Sequence, residues 1–191
     1  MSILREVRPA VSMVVLFTIV LGFILPAIFT GAMQVALPWQ ANGSLIMQDG
    51  HAIGSALIGQ NFTDPKYFQP RPSALDKPYD ATTSGASNLA PTSATLIKTV
   101  QQRVAAYVKA YGPGPVPADA VTSSGSGLDP DISVANALRQ APAVAAARHL
   151  PVEEVVGLVH AMTHHAFLGV IGTDHVNVLK LNLALDRLHA S

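Results

Sequence analysis

From Pro9 to Val35 the chain runs about 27 residues without one charged side chain. At ~1.5 Å rise per residue, a helix of that length exceeds a ~30 Å hydrocarbon core and crosses it with some tilt. Inside lipid the backbone has no water to bond, so a helix is the form such a run must take. Pro26 removes one amide donor in the second half of the run and predicts a kink, which membrane helices tolerate. Arg5 and Arg8 precede the run and the next Lys or Arg after it is Lys66. This charge asymmetry predicts a cytoplasmic N-terminus (1–8), a span (9–35) and an extracytoplasmic remainder (36–191), with Trp39 as an interfacial anchor. A cleaved leader also starts basic and turns apolar, with Thr30-Gly31-Ala32 as a small-residue cleavage site. Its apolar core is only ~7–15 residues, however, so the length favours a retained anchor over a leader or a buried soluble helix.

The remaining stretch, about 155 of the 191 residues, is enough for one domain with its own core. Net charge is zero and charged residues make up 13%. That argues against a nucleic-acid binder, which needs a basic face, and so little charge favours association with partners or membrane. With no cysteine, disulfides, thiol nucleophiles and iron–sulfur ligation are excluded.

The pattern after the apolar run predicts an α+β domain. Residues 44–48 and 51–58 read as a hairpin around Asp49-Gly50, a two-residue turn needing positive φ at both positions. The strand then continues toward Asn61-Phe62. Asp64 to Pro91 holds five prolines with Tyr67, Phe68 and Tyr79 among small polar residues. Its aromatics predict an ordered loop packed on the domain, since disordered linkers are poor in them. Thr92 or Ser93 caps a helix whose stripe is Leu96, Val100, Val104, Tyr107, Val108 and Tyr111, ended by Gly112-Pro113. Residues 121–130 form a polar glycine-containing loop. Ser133 caps a helix over Val134–Gln140, Pro142 starts another to His149, and Pro151 opens a third with Glu153 and Glu154 in its first turn. Asn177 to Leu185 alternates leucines with other residues and predicts a strand. The expected architecture is a mostly antiparallel sheet, built from the hairpin and this C-terminal strand, with three or four helices against it.

Few residues carry chemistry by motif. His160 and His164 fall on one helix face at the spacing of zinc proteases, with His165, Asp174 and His175 nearby, but no glutamate follows the first histidine. Ser84 to Asn88 fails the G-x-S-x-G nucleophile pattern at Leu89. Ser126, Asp129 and a histidine are the raw material of a triad in any serine-rich loop. G-x-x-x-x-G-K-[ST] and G-x-G-x-x-G are absent, and Pro78 after Asp76-Lys77 rules out the phosphorylated Asp-Lys-Thr-Gly-Thr of P-type ATPases. A membrane-anchored envelope hydrolase and an anchored metal- or solute-binding module therefore stand as alternatives from composition and motifs.

Five stretches in order carry a resemblance. They are Gly54–Phe62; Tyr67-Phe68 with Arg71-Pro72-Ser73-Ala74; Ser84–Leu89; Val121–Pro130; and Val176–Leu179 with Leu181–Asp186. Together they resemble the C subunit of the Kdp potassium-transporting ATPase of bacteria and archaea, over nearly the whole chain including the apolar run. The resemblance implies a non-catalytic subunit of the inner (plasma) membrane with one transmembrane helix and an extracytoplasmic domain, needed for assembly and activity. Its implied partners are a potassium-carrying channel-like subunit, a P-type subunit that hydrolyses ATP, a small single-helix subunit, and the lipid bilayer. No cofactor is expected from the chain's own motifs; ATP enters through the catalytic subunit, whose affinity for it this family is described as raising. The family's Ser-Gly-Gly-Ser-Asn segment, likened to a nucleotide-contacting signature, matches Ser84, Gly85, Ser87 and Asn88, with Ala86 in place of the second glycine. A Cβ there keeps a phosphate further from the backbone. Arg71, Ser73, Gly125, Ser126, Gly127 and Asp129 are the implied loop or partner-docking residues, and no metal ligands are implied. After Gly127-Leu128-Asp129-Pro130 the family usually has histidine; here Asp131 stands. Since the charge rule puts the domain outside and ATP is inside, any effect on ATP affinity must travel through the complex by linkage.

Overall fold

The computed structural model describes residues 3–188. Two compact units emerge, one up to Leu45 and one from Ile46 onward.

The first unit is helical. Helix α1 (Ile3–Ile19) passes through a π-helical turn (Val20–Ile24) into α2 (Leu25–Ala36), and a single turn, α3 (Pro38–Ala41), follows. The stretch Glu6–Ala36 is long and apolar enough to cross a membrane, and none of it is buried. At Pro26 the sequence predicts a kink. Just before the proline the structure inserts a wide turn, in which the Leu25 N–H bonds Val20 O. Proline and π-turns are both recognised places for a helix to bend. Trp39 donates its indole N–H to Leu45 O at 2.9 Å.

The second unit is α+β with two small sheets. Strands β1 (Leu45–Gln48) and β2 (His51–Ser55) pair around Asp49 (φ 51°) and Gly50 (φ 79°), the expected hairpin. The strand does not run on to Phe62: a turn follows Ser55, which bridges to Ile58. Then come α4 (Ala94–Tyr111), α5 (Ala118–Val121), β3 (Asp131–Ser133), α6 (Val134–Arg148), α7 (Val152–Ala161), β4 (Thr163–His164), β5 (His175–Asn177) and α8 (Val178–Leu188). Strands β3, β5 and β4 form an antiparallel sheet with β5 central, Ile132 opposite Val176 and Thr163 opposite Val176 on the other side. The hairpin is a separate sheet, not the neighbour of a C-terminal strand.

Three expectations are corrected. The alternating stretch after Asn177 is helix α8, with only His175–Asn177 extended. Asn177 Oδ1 accepts the Lys180 N–H and opens the helix, and Leu, Ala, Lys and Arg favour helix over strand. Val178, Leu181, Asn182 and Leu185 are buried while Leu183 is not, a period of 3.6 that the alternation concealed. Second, α6 is one helix with Pro142 inside it. The ring of Pro142 is exposed, off the stripe that Ala137, Ala141, Val144 and Ala145 bury, and the burial of that stripe on both sides of the proline holds α6 together as one helix. His149 (φ 57°) ends α6, with Leu150 N–H bonding Ala145 O in a Schellman arrangement. Third, Pro151 is the N-cap of α7, one residue before its first turn. Ser93 and Ser133 cap α4 and α6 as expected, each accepting a bond from the amide three residues on.

The core gathers Phe68, Ile132, Val144, Val155, Val159, Val176, Leu181 and Leu185. Phe68 comes from the proline-rich loop, which is therefore packed down as its aromatics predict. Two buried amides hold it. Asn182 accepts the Phe68 N–H at 2.9 Å and donates to Phe68 O at 3.1 Å. Gln140 does the same for Gln69, at 2.7 and 3.2 Å. Each side chain replaces the missing strand neighbour of an extended segment, satisfying amides that would otherwise be buried unpaired. Arg148 adds a third tie: its Nε donates to Lys66 O, its Nη2 to Asp186, and its guanidinium lies 4.8 Å over the Tyr67 ring.

Candidate functional site

The residues singled out by sequence converge on a platform of three loops. Ser73 Oγ donates to Gly127 O at 2.8 Å. The Gly85 N–H and Ser84 Oγ both donate to Ser126 O, at 2.9 and 3.2 Å. Inside the third loop, Ser124 Oγ accepts the Gly127 N–H and Ser126 Oγ accepts the Leu128 N–H. Gly59 N–H closes the platform from below on Leu128 O at 2.8 Å. Small residues make this close approach possible. Gly127 sits at φ +70°, and a Cβ there would meet Leu75 at 2.7 Å and Gly85 O at 3.0 Å; only glycine adopts that backbone without strain.

Arg71 and Asp129 brace the edge. The Arg71 Nη1 donates to Asp129 at 2.7 Å with both side chains mostly buried, and the other carboxylate oxygen accepts the Asp131 N–H. Tyr79 donates its hydroxyl to Arg71 O at 2.7 Å. Burial pushes the Tyr79 phenol well above its ordinary range, helped by the Asp129 charge and opposed by Arg71, so it stays a donor. Arg71 Nε is buried without a partner.

Two concave surfaces border the platform. The first, about 430 Å³, is acidic: Asp119, Asp129, Asp131 and Asp174 line it with Arg71 and His175. Its carboxylates are already engaged. Asp119 accepts from the Ser133 N–H, the Ser133 hydroxyl and Asn136 Nδ2. Asp131 accepts from Asn177 and lies 3.9 Å from His175; burial raises its carboxyl above the ordinary value, against the pull of His175. The second surface, about 470 Å³, runs between the loops and α4, lined by Ser73, Ser87, Leu89, Leu96, Thr99 and Arg103. Arg103 donates to Val121 O and Ser123 Oγ at its edge.

Of the positions implied for nucleotide contact, Ser84 and Gly85 thus spend their donors on Ser126 O. Ser87 lines the groove beside α4, and Asn88 is exposed in the left-handed region (φ 51°). Arg71 pairs with Asp129 and Ser73 with Gly127, while Ser126 bonds Ser84, Gly85 and Leu128, and Gly125 is exposed at the rim with open space around it. The shared helix face expected for His160 and His164 does not form, because α7 ends at Ala161 and His164 lies on β4, its ring 5.5 Å from that of His175. Among the described residues no cluster of His, Cys, Asp or Glu is arranged to hold a metal ion. Ser126 Oγ bonds backbone and lies 3.4 Å from Ser124 Oγ; its partners include no imidazole.

Sequence reasoning passed over Asp119, Asn136, Gln140, Arg148 and Asn182, which tie the loops to the helices. One signal was available. Asn136 and Gln140 sit one helical turn apart on the stripe that Ala137, Ala141 and Val144 bury, and a polar residue on an apolar stripe needs a partner. Gln69, the loop partner of Gln140, is 71 residues away in sequence, which no local pattern reveals.

Comparison with known proteins accords with the resemblance. The family profile described as K+-transporting ATPase, c chain (KdpC), matches residues 7–187. A potassium-transporting ATPase KdpC subunit from Allorhizobium ampelinum is 50% identical over 189 residues, 98% of this chain and 99% of the relative. Those from Mycobacterium tuberculosis (50% over 187 residues, 96% and 99%) and Caulobacter vibrioides (52% over 185 residues, 96% and 93%) are similarly related. With the apolar helix, the α+β unit and the loop platform all lying inside the matched region, the chain belongs to the KdpC family of potassium-transporting ATPase subunits.

Proposed function

We propose that this chain is a non-catalytic accessory subunit of an ATP-driven potassium uptake complex in the inner membrane. Residues 9–35 anchor it, residues 1–8 face the cytoplasm, and residues 36–191 lie outside. Its partners are the potassium-carrying, ATP-hydrolysing and small single-helix subunits. It stabilises their assembly, and any rise in ATP affinity reaches the catalytic subunit through the complex.

One observation carries this reading. The Gly85 N–H and Ser84 hydroxyl, which a phosphate cradle would need, are committed to Ser126 O. On this reading the Ser84–Asn88 segment is part of a docking platform with Arg71, Ser73, Gly125, Ser126, Gly127 and Asp129 rather than a nucleotide cradle. The orientation follows from Arg5 and Arg8 before the span.

The test is accessibility. Gly157→Cys, on α7 and outside the platform, adds a thiol at an exposed position with nothing within 4 Å of the new Cβ, in a chain with no other cysteine. A membrane-impermeant maleimide should label it in intact cells expressing the complex. Labelling only after lysis would place the platform on the cytoplasmic side and reopen direct contact with ATP. The assembly role is tested separately: deletion of residues 36–191 should leave the other subunits unable to co-purify.

A further inference from the structure

Between β4 and β5 the chain forms a second hairpin with an unusual tip. Phe167 and Ile171 bridge across it, and Leu168 (φ 53°) and Gly169 (φ 73°) make the turn. Every side chain from Ala166 to Gly172 is apolar or absent. Phe167, Leu168, Val170 and Ile171 are 67, 78, 79 and 63% exposed. Exposed apolar clusters of this kind mark a surface that something covers. A leucine held at positive φ at the apex, where polar turn residues are ordinarily preferred, is costly unless its side chain has a use.

We infer that this tip inserts into the headgroup–acyl boundary of the bilayer. The inference rests on the anchoring proposed above. Three observations favour lipid over a protein groove as the occupant. First, the tip's backbone is largely self-sufficient: the N–H groups of Phe167, Gly169, Val170 and Ile171 all donate inside the hairpin. Amides already bonded lower the cost of entering a zone poor in water, whereas a strand-pairing partner would need them free. Second, the polarity changes abruptly at the base. His165 meets Asp174 at 2.9 Å, and Asp174 also accepts the Ala166 N–H, a polar collar suited to headgroup depth beneath an apolar tip. Third, the same chain carries a 31-residue helix able to span a membrane, so once anchored the domain meets lipid at high effective concentration. A weak, four-residue insertion then suffices without affinity of its own.

The absence of cysteine allows site-specific labelling of the full chain. Val170→Cys carrying the environment-sensitive fluorophore NBD is reconstituted in phosphatidylcholine vesicles with and without lipid bearing a doxyl quencher on its acyl chain. The expected result is blue-shifted emission, most of it lost with doxyl lipid and little of it reached by aqueous iodide. The same label at Gly125→Cys should stay water-exposed, and at Val14→Cys in the span it should be doxyl-quenched. With NBD at Phe167→Cys, adding Leu168→Asp and Val170→Asp should abolish the quenching. If the Val14 label is quenched and the Val170 label is not, the insertion is refuted while the anchor stands. If neither is quenched, the anchor itself fails. Protection of the Val170 label from iodide without doxyl quenching, appearing only when the other subunits are added, assigns the tip to a protein and overturns the lipid proposal.

Discussion

Asn182→Ala tests the tie between the proline-rich loop and the helices. The side chain is buried at 1% exposure and, among the described residues, bonds Phe68, whose own exposure is 0%. Truncation leaves one buried N–H and one buried C=O without their partner. Each orphaned group costs about 1–3 kcal/mol, so the pair gives about 2–6 kcal/mol. Alanine's better helix propensity returns about 0.5 kcal/mol. The net loss is a large share of a typical domain's 5–15 kcal/mol. Urea unfolding of the full chain in detergent, followed by near-UV circular dichroism, reads the loss; all four tyrosines lie in the second unit. The midpoint should fall by about 1–3 M. Limited proteolysis should begin cutting within residues 64–91 before the rest unfolds. A midpoint within ~0.3 M of the parent's, with an unchanged cleavage pattern, would refute the claim that this amide holds the loop.

Three further outcomes are expected. Gly127→Ala strains a positive φ and drives a Cβ into Leu75 and Gly85 O; it should destabilise by about 1–3 kcal/mol and lower the yield of co-purified complex, which pull-down quantifies. Ser126→Ala removes the acceptor of the Leu128 N–H, for about 1 kcal/mol, and potassium-stimulated ATP hydrolysis by the complex should largely survive; a fall of about a thousandfold or more, the scale of a lost nucleophile, would instead support a hydrolase. Asp131, raised by burial above its ordinary 3.8, binds its proton more tightly folded than unfolded, so its contribution to stability falls as pH rises from that ordinary value through the folded one. Asp131→Asn keeps an acceptor for Asn177 and should gain on the parent over that range in a pH series of unfolding midpoints; a constant difference would count against the burial argument.

Where local chemistry decides, the sequence was readable. Asp49-Gly50 makes its hairpin, Ser93 and Ser133 cap their helices, Gly112 ends α4, and the aromatics of 64–91 signal packing. The failures share a cause. The stretch after Asn177 fits period two and period 3.6 equally until burial of Asn182 over Leu183 separates them. Pro142 reads locally as a break, yet the apolar stripe on both sides of it packs as one helix. At the candidate site, the glycines and serines of residues 84–88 and 124–129 were recognisable, but their union through Ser126 O was not. That bond joins segments some forty residues apart, and nothing within either segment requires the other.

The paired amides also dictate an order of events. Phe68 and Gln69 leave the ribosome long before Gln140, and longer still before Asn182, so the loop's backbone must stay solvated until the last helix arrives. Long-range closures of this sort come late. The amino-terminal half of the domain is therefore held unfinished while over a hundred residues follow, and a chain stopped before α8 should leave residues 64–91 open to proteases however well its other helices form.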